Sequence, residues 1–434
     1  MLKPKVGFTV EYHPQEVGAE EAPGLLTKYC QVLRKLGLEV TKAKEPLHDI
    51  ETAAQTGSLF RENQADVICV LLATWSSDEL ILDLLEHCDV PMIVWGLPGI
   101  HTGSLCGAQQ ITCVLKELDK PHRFVYREDE SALQDIMAYA RAAALFRKLG
   151  MVRLGLVGYR AEGMTETAFD EFALKETIGP RVVHVDKGEL RGMIGEIPDS
   201  KALKLWEDIK LKVGAVRVKE EDGLRSAKAY FALKKIINEN SLSGVTVKCA
   251  YDFMGVVCLA FSLLGDEGIV GGCEGDVNGL AAMLMLHELT GSPVHNTDLL
   301  SVYEENHSSV YSHCGSGAFS LAEKKEDIAL EPVRLANEGL CVLFPGRPGK
   351  VTLVNLVGRK GTYRMSIVKG EAVRTELVFP GNPVKVVLPV SVDEFLETVA
   401  REGIGHHWMV GYGDVSSELV QLGQLLGIKT VLIA

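Results

Sequence analysis

The stretch Gly271-Gly-Cys-Glu-Gly-Asp-Val-Asn-Gly279 leads through an apolar run into Thr290-Gly-Ser-Pro-Val-His-Asn-Thr-Asp298. It places Glu274 and Asp276 in a glycine-rich turn ahead of a predicted buried helix, with Asp298 just past a short strand-like segment. A turn, a helix of about three turns and a returning strand fit this interval, since an α-helix rises about 1.5 Å per residue. The pattern therefore predicts that Glu274 and Asp298 converge on one side of a sheet. Converging carboxylates suit a hard divalent cation or acid/base chemistry.

The two carboxylates of the turn differ in what else they could do. Asp276 or Asn278 could simply cap the following helix, as Asp and Asn residues often do. For Glu274 a capping role is disfavoured, because a Glu preceded by Gly-Gly-Cys and followed by Gly lies on a backbone shaped for close approach. Asp276 therefore stays a candidate for an additional ligand or substrate contact, with capping as its alternative.

Composition and charge narrow the class of protein. A chain of 434 residues predicts two or three domains. The net charge of −13, without any Lys/Arg block, argues against nucleic acid as a partner. No apolar run reaches membrane-spanning length, and the chain enters the strand pattern Val6–Val10 without a signal-peptide pattern. The ten cysteines lack CxxC or disulfide-like spacing, so we expect reduced, mostly core thiols in a cytoplasmic protein.

Hydrophobic periodicity predicts an α/β fold class with three domains. Strand and helix signals alternate in residues 1–150 and again in 151–310, which predicts two Rossmann-like domains with parallel sheets. Residues 311–434 carry strand-like segments separated by turn signals. They predict a β-rich, barrel-like C-terminal domain with a returning α/β tail. Because ligands of parallel sheets bind at the carboxyl ends of the strands, the first domain would offer its strand-end loops to a substrate or a subunit interface.

A second candidate site lies in the loop Gly403-Ile-Gly-His-His-Trp408. Two adjacent histidines in a glycine-flanked loop favour a functional role over a structural one, because such a loop holds little else to bury. Neighbouring side chains in an extended loop point to opposite sides, so we expect only one of His406 and His407 to face a metal ion.

A third candidate site is His313-Cys314-Gly315. Together with Cys273 these residues could in principle bind zinc, but their spacing fits no standard structural zinc pattern. A Cys–His nucleophile pair is a further alternative without local support. Carboxylate and imidazole ligands with open water positions suit Mn²⁺, Mg²⁺ or a similar cation better.

These residues resemble a known family. Glu274, the helix that ends in Leu-Thr-Gly291, and Asp298 resemble the metal-binding region of L-fucose isomerase. The tail His406-His-Trp-x-x-Gly-Tyr-Gly-Asp-x-x-x-Glu-Leu419 resembles the C-terminal metal-ligand segment of that family. The resemblance implies that Glu274, Asp298 and His407 bind Mn²⁺, or another divalent cation such as Mg²⁺ or Co²⁺. The related L-arabinose isomerases use a further His, for which His313 is the candidate.

The resemblance also implies an activity. It implies a sugar isomerase that interconverts aldoses and ketoses through a cis-enediol, with Glu274 and Asp298 as the catalytic carboxylates and a monosaccharide as substrate. It further implies a homo-oligomer, a trimer or a hexamer. The chain departs from the family pattern in a turn after Glu274 that is one residue shorter, in its shorter C-terminal part, and in His406, which stands where the pattern has Asn. His406 is therefore a candidate for substrate contact, and the identity of the sugar stays open.

Two other classes of protein fit parts of the pattern. Two α/β lobes with polar strand-end loops also describe a non-catalytic sugar-binding or regulatory protein, which needs no metal. A metal-dependent hydrolase or aldolase could use the same scaffold. In the first domain, the strand-end loops that contain Trp75 and Trp95 could cover the site of a neighbouring subunit, or these tryptophans could merely cap their own sheet.

Overall fold

The computed structural model describes residues 2–434, which form two compact units, residues 2–148 and residues 149–434. Both units contain a parallel sheet, and the second also contains a β-rich part, which confirms the predicted α/β fold class. The boundary at 310/311 stays a prediction. Within residues 2–434, every helix is too short or too polar to cross a membrane.

The first unit is built on a parallel sheet of five strands in the order β2-β1-β3-β4-β5. The central strand β3 is apolar and buried throughout, as expected for a strand covered on both faces. Strand β5 forms one edge of this sheet. The elements are β1 (Lys5–Glu11), α1 (Ala22–Lys35), β2 (Glu39–Lys42), α2 (Ile50–Glu62), β3 (Val67–Leu72), α3 (Glu79–His87), β4 (Met92–Gly96), α4 (Ser104–Glu117), β5 (His122–Tyr126) and α5 (Glu130–Leu149).

The second unit begins with a parallel sheet of four strands in the order β10-β9-β6-β7. The helix after β10, α11, is buried on every side from Val277 to Leu286, so it lies inside the unit and has no solvent-facing stripe. The elements are β6 (Arg153–Val157), α6 (Glu171–Ala173), β7 (Arg181–Val185), α7 (Lys187–Glu196), α8 (Asp199–Lys210), β8 (Ala215–Val216), α9 (Glu220–Asn240), β9 (Gly244–Val247), α10 (Cys258–Asp266), β10 (Val270–Cys273) and α11 (Val277–Thr290).

The rest of the second unit is β-rich. Its elements are β11 (Val294–Tyr303), β12 (Ser308–Ser312), β13 (Ala329–Val333), β14 (Glu338–Leu343), β15 (Gly349–Arg359), β16 (Thr362–Val373), β17 (Val384–Val387), α12 (Val392–Glu402), β18 (His407–Tyr412), α13 (Ser416–Leu425) and β19 (Lys429–Ile433). Six strands pair in the order β15-β18-β11-β12-β17-β16. Because β16 also pairs with β15, these strands close into the predicted barrel. Strand β19 adds to β16 in parallel as the returning tail.

One local expectation was wrong. The strand after α11 does not return to the parallel sheet, because β11 pairs with β12 and β18 of the barrel. Asp298 lies within this strand rather than past its end. The carboxylates on either side of α11 therefore belong to two different layers, a parallel sheet and an antiparallel barrel.

Candidate metal and active site

Glu274 occupies a strained turn at the carboxyl end of β10. Its φ is +65°, in the left-handed region that non-glycine residues rarely adopt, and the next residue, Gly275, has φ +71°. A Cβ at Gly275 would lie 2.4 Å from the carbonyl oxygen of Tyr159, so only glycine fits this position. The backbone N–H of Ala161 donates to the carbonyl of Glu274 over 2.8 Å and holds the turn in place. The predicted close approach at Glu274 is thus present.

The register of the barrel positions the remaining candidates. Asp298 on β11 lies opposite His407 on β18 and, on its other side, opposite Ser312, the last residue of β12. His313 follows Ser312 directly. Residues directly opposite each other on paired strands have Cβ atoms about 4.5–5.5 Å apart. Three neighbouring strands therefore carry Asp298, His407 and His313 to one place.

The parallel sheet and the barrel bring these side chains together. His407 Nε2 lies 3.0 Å from Glu274 Oε2 and 3.8 Å from Asp298 Oδ1. His313 Nε2 lies 3.8 Å from Glu274 Oε2 and 4.0 Å from Asp298 Oδ2. The four residues proposed from sequence as metal ligands thus form one cluster.

Asp276 has one of the two roles that the sequence left open, the cap of α11, and its role as a ligand or substrate contact stays a prediction. It is the N-cap of α11, where its Oδ1 accepts from the backbone N–H of Gly279 over 2.9 Å. Its Oδ2 lies 2.8 Å from His407 Nδ1. A carboxylate can only accept, so Nδ1 of His407 donates to Asp276 and Nε2 is directed toward Glu274. Asp276 therefore orients a candidate ligand.

The charges in the cluster are balanced against burial. Burial raises the pKa of the Glu274 carboxyl, but His313 and His407 outweigh it and hold this pKa well below its ordinary value. Burial lowers the pKa of His407, yet Asp276 and Glu274 raise it to about 10. Burial likewise lowers the pKa of His313, whereas Cys314 and Glu274 bring it well above its ordinary value. The site therefore holds the ionised carboxylate of Glu274 beside positively charged imidazoles.

Both histidines of the pair lie at the site, and the expectation that only one of them faces a metal ion stays a prediction. The backbone bends at His406 before β18 begins at His407, so the alternation of an extended chain does not apply. The two imidazole rings lie 4.0 Å apart, and His406 Nε2 is 3.9 Å from Asp298 Oδ1. His406 Nδ1 contacts the carboxylate of Glu166, a residue that no sequence signal had indicated.

The donors in this cluster fit a hard divalent cation. The ligand atoms of Glu274, His313 and His407 all lie within 4.8 Å of one another, as do those of Asp298, His406 and His407. Asp298 Oδ1 is buried without a hydrogen-bond partner among residues 2–434. Neither cluster includes a cysteine, and oxygen and nitrogen donors suit Mn²⁺, Mg²⁺ or a similar ion.

The two strand-end tryptophans of the first unit, Trp75 and Trp95, differ in their burial and contacts. Trp95 is fully buried, donates its indole N–H to the carbonyl of Arg127 over 2.8 Å and packs edge-on against Tyr29. It therefore caps its own sheet and cannot cover another subunit. Trp75 donates to Gln110 over 3.0 Å and its ring lies 5.7 Å from that of His13.

Comparison with known proteins gives sugar isomerases as relatives. No family model matches the chain. The chain is 27% identical over 381 residues to the sulfoquinovose isomerase of Priestia aryabhattai, which covers 85% of each protein. It is 27% identical to the sulfoquinovose isomerase of Alkalicoccus urumqiensis, over 84% of this chain and 86% of that protein. It is 23% identical to L-arabinose isomerase 1 of Bacillus licheniformis, over 71% of this chain and 65% of that protein.

Among solved structures, a solute-binding protein of an ABC transporter from Burkholderia multivorans matches at 14% identity. The match covers 68% of this chain and 95% of that chain, but its TM-score of 0.17 supports no conclusion about fold or function. The relatives support the broader prediction of a sugar isomerase, whereas the narrower resemblance to L-fucose isomerase stays a prediction.

Proposed function

We propose that this protein is a metal-dependent isomerase that interconverts an aldose and a ketose through a cis-enediol. The chain is an enzyme of the sugar-isomerase class, which its similarity to four curated sulfoquinovose isomerases over most of its length supports. The observation that carries the proposed mechanism is the convergence of Glu274, Asp298 and His407, with His407 Nε2 at 3.0 Å from Glu274 Oε2 and 3.8 Å from Asp298 Oδ1.

The reaction moves a proton between two adjacent carbons of the sugar. One carboxylate must take the proton from one carbon and return it to the other, and Glu274 and Asp298 are the two candidates. The neighbouring imidazoles keep Glu274 ionised despite its burial, and only an ionised carboxylate can accept a proton. Glu274, Asp298 and His407 would also hold the divalent ion, with His313 as a candidate fourth ligand and Mn²⁺ as the proposed metal. When bound, the ion would stabilise negative charge on the two neighbouring sugar oxygens.

The proposed partner is a monosaccharide. The proposal includes a homo-oligomer, a trimer or a hexamer, with no nucleic acid or membrane as partner, and a cytoplasmic location. Light scattering of the active enzyme checks the oligomeric state, and an active monomer at assay concentration contradicts it.

A deuterium-exchange assay tests the function. The protein is incubated with Mn²⁺ in D₂O with a panel of aldoses that includes sulfoquinovose, L-arabinose and L-fucose, and products are followed by NMR. We expect a ketose product and incorporation of deuterium at the carbon next to the carbonyl, abolished by EDTA and restored by Mn²⁺. Sugar binding without turnover indicates a binding protein, and carbon–carbon cleavage or hydrolysis indicates a lyase or hydrolase.

A further inference from the structure

The two sides of the proposed active site differ in exposure. The side chains of His313, His407 and Glu274 are 4%, 3% and 14% exposed. The side chains of Asp298, His406 and Glu166 are 32%, 38% and 38% exposed. A sugar must arrive from solvent, so it approaches the cluster over the second group.

His406 is held on two sides. Its Nδ1 contacts the carboxylate of Glu166, and its ring lies 4.0 Å from that of His407 at an interplanar angle of 38°. Glu166 belongs to the short helical turn Thr165–Thr167, which lies outside the strands of the barrel. Its backbone carbonyl accepts from Arg359 Nη2 at the end of β15 over 2.5 Å, which anchors this turn to the barrel.

The other ring nitrogen of His406 faces the reacting side. His406 Nε2 lies 3.9 Å from Asp298 Oδ1, which is too far for a direct hydrogen bond. Asp298 Oδ1 has no hydrogen-bond partner among residues 2–434. A hydroxyl group placed between the two atoms would be within reach of both.

We infer that Glu166 is a positioning residue, which sets His406 so that its Nε2 binds a hydroxyl group of the sugar. The inference rests on the proposed function. A carboxylate accepts only, so Nδ1 donates its hydrogen to Glu166, and this contact fixes the ring with Nε2 directed to the position of the hydroxyl. His406 contacts the substrate, whereas Glu166 acts through His406 and touches no reacting atom.

The position of His406 also connects this pair to specificity. The imidazole ring of His406 extends farther from the backbone than a shorter polar side chain would. A ring at this position, fixed by Glu166, therefore selects sugars by a hydroxyl that a shorter side chain would leave unbound. A site that binds a hydroxyl rejects analogues without it, because its polar groups are then left unpaired.

The test compares Glu166→Ala, Glu166→Gln and His406→Ala in the full-length protein. Glu171→Ala is the matched control, because Glu171 contacts His184 Nε2 at 2.6 Å in a similarly exposed pair. KM and kcat are measured with a sugar that the wild type isomerises, and Mn²⁺ affinity and stoichiometry are measured by calorimetry without sugar. Loss of one hydrogen bond predicts a rise in KM of about threefold to tenfold for Glu166→Ala and His406→Ala.

Three further results distinguish positioning from a general structural role. We expect a smaller change in kcat than in KM, unchanged Mn²⁺ affinity and stoichiometry, and near-wild-type KM in Glu166→Gln, whose amide oxygen still accepts from Nδ1. An unchanged KM in Glu166→Ala overturns the inference. Loss of a bound Mn²⁺ in His406→Ala also overturns it, because His406 is then a metal ligand.

The result is separable from that of the proposed function. If the wild type isomerises no sugar in the panel, the proposed function fails. The same variants are then compared by calorimetric binding of a sugar alcohol. Weaker binding in Glu166→Ala than in Glu171→Ala supports the hydroxyl contact, and equal binding overturns it.

Discussion

Two glutamates at the carboxyl ends of parallel strands, one in each unit, have opposite electrostatics. Glu11, the last residue of β1, is fully buried, and neither of its carboxylate oxygens has a hydrogen-bond partner among residues 2–434. Burial raises the pKa of Glu11 to about 8; the Ser76 side chain opposes this effect in part, and the charge of Asp78 adds to it. Glu274, just after β10, is also largely buried, but His313 and His407 hold its pKa well below the ordinary value.

The difference shows what the histidines contribute. Burial alone disfavours the charged form and turns a strand-end glutamate into a neutral acid. Two imidazoles beside the carboxyl reverse this effect and keep it ionised. Only the ionised form can bind a cation or accept a proton, so the same residue type in the same topological position favours the neutral form in one unit and the ionised form in the other.

The largest expected effect comes from removing the charge of the reactive carboxylates. Glu274→Gln and Asp298→Asn should each lower kcat by at least about 10²–10⁴-fold, the share that general acid–base catalysis alone contributes. Glu11→Gln is the matched control, because it makes the same change in the other buried strand-end glutamate and should keep most of the activity. Near-wild-type turnover of Glu274→Gln or Asp298→Asn with metal present contradicts the assignment.

The next effect concerns the orientation of His407. Asp276→Asn keeps an oxygen that can cap α11 but replaces the carboxylate beside His407 Nδ1, so metal affinity should fall by about 10–100-fold. Calorimetric titration with Mn²⁺ measures the change. Asp49→Ala removes a cap from α2, far from any candidate ligand in sequence, and should cost about 1 kcal/mol of stability without altering metal affinity. Equal metal affinity in Asp276→Asn and the wild type contradicts the orienting role.

The buried acid of the first unit predicts a dependence of stability on pH. The folded pKa of Glu11, about 8, lies above its ordinary value of 4.5, so the folded state keeps a proton that the unfolded chain releases. The stability from this proton is fully present below about pH 4.5 and is lost as the pH rises to about 8, by an amount on the order of 5 kcal/mol. Glu11→Gln lacks this loss.

Thermal unfolding of the full-length chain at several pH values measures the effect. The difference in Tm between Glu11→Gln and the wild type should grow in favour of the variant between pH 5 and pH 8. A difference that stays constant over this range means that Glu11 does not keep its proton.

The smallest effect is expected for the cysteines beside the cluster. Cys273 is buried with its Sγ 3.8 Å from Ser316 Oγ, and neither candidate metal cluster includes Cys273 or Cys314. Thiolates are poor ligands for hard cations. Cys273→Ser and Cys314→Ser should therefore keep activity within a few-fold in the isomerase assay. If either variant loses stoichiometric zinc together with its activity, the site binds a soft metal ion through cysteine, and the assignment of a hard-cation site is wrong.

The sequence predicted those features of the structure that depend on neighbouring residues alone. The left-handed turn at Glu274 is marked by its flanking glycines, because few other residues tolerate the backbone that it needs. The all-round burial of α11 is marked by its unbroken apolar run, and the strands of the barrel by their glycine-bounded apolar segments. The adjacency of His406 and His407 was visible, and the resemblance to L-fucose isomerase made Glu274, Asp298 and His407 candidates for one site.

Only the tertiary structure decided how these parts meet. Strand β11 belongs to the barrel and not to the parallel sheet, and this pairing places Asp298 opposite His407. The pairing depends on the register between residues more than a hundred positions apart in the sequence. The contact of Glu166 with His406 joins two loops that are far apart in the sequence. Neither segment contains a sequence pattern that predicts this contact. The opposite charge states of Glu11 and Glu274 follow from which groups surround each carboxyl, since burial and neighbouring charge are properties of the packed chain and not of the residue type.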